Sequence, residues 1–333
     1  MRRVPVTFNA LAEAQPGPIW RAAFEHRWED YRRWFLSDGD AARPSYAESV
    51  RTLREHMPEL MPTYEALVDL SGGGDMAARM LTLVDPPPFI GACSQGVWLR
   101  DRPVLVRNYD YLATHIEGLI WWTAWSGRRV IGTSDLLWGL LDGMNEAGLA
   151  ISLTFGGRKA QGHGFGIPLV VRYLLETCDD VSEACRRIER LPFQLAHNLT
   201  LVDAGGDHAT VYLAPDRRPV FALTPIATNH QDVLDWPEYT TVVRTHEREA
   251  LIAELLADPT IDADAFAGAF LVPPLLDSAG LGHFGTLYTA VFHPTTGQVE
   301  HRWPTFTWRQ TFDGFEPGEH TEALAANGYH RTP

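Results

Sequence analysis

The stretch PPPFIGACSQGVWLRDRPVLVRNYDY, from Pro86 to Tyr111, holds the residues best placed to do chemistry. Cys93 follows the small residues Gly91 and Ala92 and opens an apolar run that ends in Arg107-Asn108-Tyr109-Asp110-Tyr111. A thiol acts as a nucleophile only where its surroundings favour thiolate and where donors await the oxyanion its attack creates. The chain has 3 cysteines, too few for a disulfide scaffold. Cys178 and Cys185, in CDDVSEAC, read as small buried hydrophobes, which leaves Cys93 to be explained. The 13 histidines are scattered, and no Cys/His cluster has zinc spacing, so neither a metal nor another cofactor is expected. FGGRKAQGHGFG, which contains His163, lacks the Gly-Lys-Ser/Thr ending of a phosphate cradle and reads as a flexible lip over a pocket. GMNEAGL is a hairpin turn, with Asn145 and Gly148 as turn formers.

Composition sets the context for that thiol. With 333 residues, 45% of them hydrophobic, the chain can bury a large core. A formal net charge of −14, without any block of Lys or Arg, excludes nucleic acid and anionic membrane as main partners. MRRVPVTFNALAEAQPGP carries two arginines with no apolar stretch behind them, so it does not read as a secretory signal. No apolar run approaches the ~20 residues of a membrane span. The expectation is a soluble cytoplasmic protein whose partner is a small molecule, with homo-oligomerisation left open.

The elements that must position Cys93 change character along the chain. Roughly the first 90 residues read as mainly helical. RAAFEHRWEDYRRWFL places Phe24, Trp28, Tyr31 and Phe35 on one helical face. SYAESVRTLREHMPELM opens with Ser45 and Glu48 as a capping box. DPPPF makes a stiff, extended approach to Gly91, Ala92 and Cys93. GVWLRDRPVLVRN then predicts a hairpin turning at Asp101-Arg102-Pro103, and strands follow at GLIWWTAW, RRVIGTSD, GLLDGM and GLAISLTF. IPLVVRYLLETC, with Pro168 in its first turn, and DVSEACRRIERL, capped by Asp180 and Glu183, predict two helices. Strands return at NLTLVDA, ATVYLAP and PVFALTP, a helix at VRTHEREALIAELLA, and strands again at GTLYTAVFHP and GQVEHRW. This order lacks the strict alternation of a doubly wound sheet and predicts an α+β protein of stacked antiparallel sheets with helices outside.

Taken together, Cys93 at the start of a strand, RNYDY, DGMNEAGLAISLTF, GIPLVVRYLLETCDDVSEA, HNLTLVDAGG and IATNHQ resemble the cysteine N-terminal-nucleophile (Ntn) hydrolases. Within them the chain is most similar to the autoproteolytic isopenicillin N acyltransferase (acyl-CoA:6-aminopenicillanic acid acyltransferase) group. It is more distantly similar to the choloylglycine hydrolases, bile salt hydrolase and penicillin V acylase. The resemblance runs through most of Cys93 to Trp236 and more loosely through TLYTAVFHPTTG. It implies a four-layer αββα Ntn-hydrolase sandwich of two antiparallel sheets. It also implies a division into a helical propiece, residues 1–92, that stays bound after cleavage, and a catalytic domain, residues 93–333.

By that resemblance the Cys93 thiol attacks the Ala92 carbonyl, and water hydrolyses the thioester left by the N-to-S shift. The freed α-amine, with a pKa of about 8, then serves as base for its own thiol. Small residues at 91 and 92 let the backbone bend at the scissile bond. Asp110 matches the residue that orients the amine, and Arg107 the basic residue that favours thiolate. Asn229 matches an oxyanion-hole amide, Thr154 falls where a backbone N–H would contribute, and Arg244 falls at an Arg-bearing helix start. The implied activity is hydrolysis or transfer of the acyl group of a small N-acyl amide or acyl-thioester, with a coenzyme A thioester as one co-substrate. Two other readings are a redox or thioester-exchange enzyme that uses Cys93 without chain cleavage, and a non-catalytic binding protein on the same scaffold.

Overall fold

Strand and helix patterning resolve into two stacked sheets with a helical layer on each outer side. The computed structural model describes residues 3–277 and 284–325. The amino-terminal part contributes β1 (Arg3–Glu13), α1 (Pro18–Phe35), α2 (Tyr46–His56), α3 (Met61–Leu70) and α4 (Asp75–Leu81). Six strands follow: β2 (Ala92–Trp98), β3 (Val104–Tyr111), β4 (Leu119–Thr123), β5 (Val130–Asp135), β6 (Gly139–Asn145) and β7 (Ala150–Phe155). Helices α5 (Ile167–Thr177) and α6 (Val181–Ile188) lead to β8 (His197–Val202), β9 (His208–Leu213), β10 (Val220–Ala222) and β11 (Ile226–Ala227). Helices α7 (Pro237–Val242), α8 (Thr245–Ala257) and α9 (Ala263–Ala269) precede β12 (Gly285–His293), β13 (Gln298–Trp303), β14 (Phe306–Thr311) and β15 (Gly318–Ala325).

One sheet has the order β10-β9-β8-β7-β6-β5-β4-β1-β15 and the other β11-β2-β3-β12-β13-β14. Among the described strands, β1 and β4 alone pair in parallel; the other neighbours are antiparallel. Helix α5 packs on the nine-stranded sheet, where Gly139 and Gly143 bring the strand backbone close to Pro168 and Leu175. On the six-stranded sheet, Ile252 of α8 and Phe266 of α9 close over Trp98, Val104 and Val106. The layers are therefore αββα, and the caps expected at Ser45/Glu48 and Asp180/Glu183 are formed.

The strand β1 departs from the helical expectation for the amino-terminal segment. Val4, Val6, Phe8 and Ala10 alternate with polar or small residues, the period-two signature of a half-buried strand. Pro5 is tolerated because β4 pairs only with Asn9 to Glu13, so the start of β1 has a neighbour on one side. At the far end of β1, the Glu13 carboxylate accepts the N–H groups of Ile19 (2.8 Å) and Trp20 (2.9 Å), satisfying the open first turn of α1.

Candidate active site

Register alone decides which side chains can meet. In the β2–β3 pair, Cys93 lies opposite Tyr109, Ala92 opposite Asp110 and Gln95 opposite Arg107. Side chains alternate across a strand, so Cys93, Leu105, Arg107 and Tyr109 face the space between the sheets. Ser94, Val104, Val106 and Asp110 face the outer helices, a division the two apolar clusters repeat. The thiol and the Asp110 carboxylate thus lie on opposite faces of one sheet, with the main chain of Cys93 between them.

On the inner face, Arg107 Nη2 donates to Cys93 Sγ at 3.5 Å. Arg107 is fully buried and pairs with Asp142, whose Oδ2 also accepts from the Tyr288 hydroxyl at 2.7 Å. Burial opposes the charge of Arg107, but Cys93, Tyr288 and Asp142 hold its pKa above the ordinary value, so the guanidinium stays charged. Cys93 is 2% exposed. Burial pushes its thiol up from the ordinary value, outweighing Arg107 and the Asp110 backbone N–H, both of which favour thiolate. The chain therefore holds a protonated thiol beside a fixed cation.

The polar groups of the outer face surround the main chain of Cys93. Its N–H donates to Asn229 Oδ1 at 2.8 Å. The guanidinium of Arg248 donates to the Cys93 carbonyl and Ser94 Oγ, each at 2.7 Å, and to Asn229 Oδ1 at 2.8 Å. Arg248 Nη1 also lies 3.5 Å from Asp110 Oδ2, while Thr286 Oγ1 donates to Asp110 Oδ1 at 2.7 Å. Burial raises the Asp110 carboxyl to about 6 despite Arg248 and Thr286. Ahead of Ala92, Tyr239 Oη donates to the Gly91 carbonyl at 2.5 Å. A Cβ at Gly91 would sit 3.3 Å from both the Asp110 carbonyl and the Tyr111 ring, so the close passage of this backbone suits glycine. A cavity of about 240 Å³ opens here, lined by Ala92, Asp110, Arg244, Arg248 and Pro274.

Cys93, Arg107, Asp110 and Asn229 are thus brought together, though not all at the sulfur. The Asn229 amide nitrogen donates to the Phe155 carbonyl at 3.0 Å, and its oxygen serves the Cys93 nitrogen. Thr154 stands one step back: its hydroxyl donates to the Thr228 carbonyl and accepts from Asn198 (3.1 Å), which props the segment before Asn229. Arg244 has a left-handed backbone (φ 49°) just ahead of α8, and its guanidinium turns to the Pro274 carbonyl at 3.0 Å. Arg248, one helical turn later, is the arginine that reaches Cys93. Its signal lies in VRTHEREALIAELLA, where two arginines four apart share a helix face. Tyr239 and Thr286 carry no comparable signal.

The glycine-rich segment after β7 is not the loose lip expected from its composition. Arg158 is paired to Asp216 (2.7 Å) and Asp235 (3.2 Å), and Gly164 N–H donates to Asp85 at 2.7 Å. Gly157 has φ 67°, and a Cβ there would stand 2.3 Å from the Asn229 carbonyl oxygen. The glycine lets this segment press directly on the backbone that carries Asn229.

Solved structures similar to this chain include a mutant of conjugated bile acid hydrolase from Clostridium perfringens, at 12% identity and a TM-score of 0.46, covering 69% of this chain and 96% of that one. Penicillin V acylase from Agrobacterium tumefaciens matches at 17% identity and a TM-score of 0.47, over 72% of this chain and 93% of that one. The Caenorhabditis elegans ortholog of N-acylethanolamine-hydrolyzing acid amidase matches at 15% identity and 0.43, over 65% and 99%. A comparison with curated proteins found no match. The sequence model of acyl-coenzyme A:6-aminopenicillanic acid acyl-transferase matches residues 98–308. That span begins just after Cys93 and includes Arg107, Asp110, Asn229 and Arg248. With well over half of its length matched, the chain belongs to the acyl-coenzyme A:6-aminopenicillanic acid acyl-transferase family and is by class an amide hydrolase or N-acyltransferase.

Proposed function

We propose that the chain cleaves itself between Ala92 and Cys93 and then uses Cys93 as an amino-terminal nucleophile on a small N-acyl amide or acyl-thioester. The observation that carries this reading is the convergence of Asn229 and Arg248 on the main-chain nitrogen and carbonyl of Cys93. Any buried peptide N–H needs an acceptor, but here the acceptor is a side-chain amide oxygen held by a guanidinium rather than a neighbouring strand. Such a partner can keep its bond when the nitrogen becomes a free α-amine and the catalytic base.

In maturation the thiol adds to the Ala92 carbonyl and the C–N bond breaks, leaving Ala92 as a thioester on Cys93 with a free α-amine. Water then hydrolyses the thioester, and residues 1–92 end in a carboxylate. In turnover the amine takes the thiol proton as the sulfur attacks the substrate carbonyl, and returns it to the leaving amine. Arg107 stabilises the thiolate from the inner face, while Asn229 and Arg248 hold the nitrogen side. Water or an acceptor amine resolves the acyl-enzyme.

Intact-mass analysis under denaturing conditions tests the reading. Wild-type protein should separate into residues 1–92 and residues 93–333, the second beginning Cys-Ser-Gln. Cys93→Ala should remain one folded chain without activity on N-acyl amides. Wild-type protein that is active with its chain intact would falsify the proposal.

A further inference from the structure

His230, His246 and Glu249 each bring one ligand atom within 4.8 Å of the others. His230 follows Asn229, whereas His246 and Glu249 lie three apart in the first turns of α8 and so share a face. Residues on a loop and a helix carry no ligand spacing that a sequence could reveal.

Hydrogen bonds around His230 fix the orientation of its ring. The hydroxyls of Thr245 and Thr228 lie 2.7 Å from each other, and His230 Nδ1 lies 2.9 Å from Thr245 Oγ1 and 3.2 Å from Thr228 Oγ1. Its Nε2 faces Glu249 Oε2 at 3.3 Å. A lone pair and a carboxylate oxygen repel at that distance unless a cation, either a proton or a metal ion, lies between them. The second imidazole, of His246, lies with its ring centre 4.4 Å from that of His230.

We propose that His230, His246 and Glu249 bind a divalent cation of the zinc class, which ties the Asn229 segment to helix α8. Two imidazoles and one carboxylate suit zinc and leave a fourth position for water. Bonds of about 2.0–2.1 Å in a tetrahedron set ligand atoms about 3.3 Å apart, the separation His230 and Glu249 already have. His246 is exposed and can turn inward to complete the set. The threonine pair on Nδ1 is the outer-shell support that orients a ligating imidazole. Because Asn229 precedes one ligand and Arg248 another, the ion joins the two segments that hold the Cys93 main chain.

Zinc affinity should be measured by competition with a zinc-responsive chelator on the full chain carrying Cys93→Ala, which removes the site thiol as a ligand. One ion per chain is expected, bound at micromolar concentration or tighter. Adding His246→Ala should weaken binding by about ten-fold or more and abolish a zinc-dependent rise in Tm. The exposed position of His246 keeps the fold intact, which circular dichroism checks. Equal affinity with and without His246, or no binding below millimolar zinc, would overturn the site. An equal Tm rise with magnesium or calcium would overturn its assignment to the zinc class.

Discussion

Asp110 is the group whose titration should govern maturation. Burial raises its carboxyl to about 6, so it is ionised above that pH and neutral below it. Only the carboxylate can accept a proton or stabilise the new ammonium, so self-cleavage should slow as pH falls through about 6. Asp110→Asn should abolish that limb and most of the cleavage, which is read by following the intact mass of freshly refolded protein across pH. Tyr239 lies on the other side of the proposed scissile bond. Burial holds its phenol well above the ordinary value, so it remains a donor to the Gly91 carbonyl. Tyr239→Phe should slow self-cleavage by about ten-fold, the worth of a hydrogen bond of about 1.4 kcal/mol. It should leave kcat/KM of the cleaved protein nearly unchanged, because the Gly91 carbonyl takes part only in the proposed self-cleavage. Equal losses in both rates would place Tyr239 in the substrate site instead.

Among the elements, the segment after β7 and helix α8 do most to place the site. Gly157 passes so close to Asn229 that a single methyl has no room, and its positive φ adds strain for any other residue. Gly157→Ala should cost about 1–3 kcal/mol of stability and slow self-cleavage by displacing Asn229, measured by urea unfolding alongside intact mass. Element types are largely legible in the sequence: the strands at 119–123, 130–135, 139–145 and 150–155 and helices α5, α6 and α8 lie where periodicity places them. The short α7 and α9 and the strands β14 and β15 are not, because their few apolar residues set no period against neighbouring turns. Arg248 is hard to tell from Arg244 for a related reason. Both lie at the start of one helix, and only its packing shows which arginine points at β2.

For the whole molecule, the decisive feature is β1, which lies between β4 and β15 in the nine-stranded sheet. If the chain is cut at Ala92–Cys93, the amino-terminal piece still carries an inner strand of the larger piece's sheet. Removing it would expose the edges of both neighbours together with the apolar surface under Phe8 and Trp20. The two pieces should therefore elute as one species in high salt and separate only where the protein unfolds, as size-exclusion chromatography across a urea series can show. Residues 93–333 expressed alone should be insoluble or aggregated. A soluble, monomeric product of that kind would mean that β1 is dispensable to the sheet.

The sequence by itself determined the alternation of elements, the positions of most caps and turns, and the one cysteine set between small residues and a polar strand end. These are local matters, settled by side-chain period, turn chemistry and backbone freedom. Tertiary structure decided the rest. It put Arg107 on the thiol's face and Asp110 on the other, brought Asn229 to the Cys93 nitrogen, and selected Arg248 over Arg244. It also inserted the first strand into the nine-stranded sheet and gathered His230, His246 and Glu249. Each of these depends on sheet register or on the rotation of a helix about its axis, and such long-range pairings leave no period in the chain.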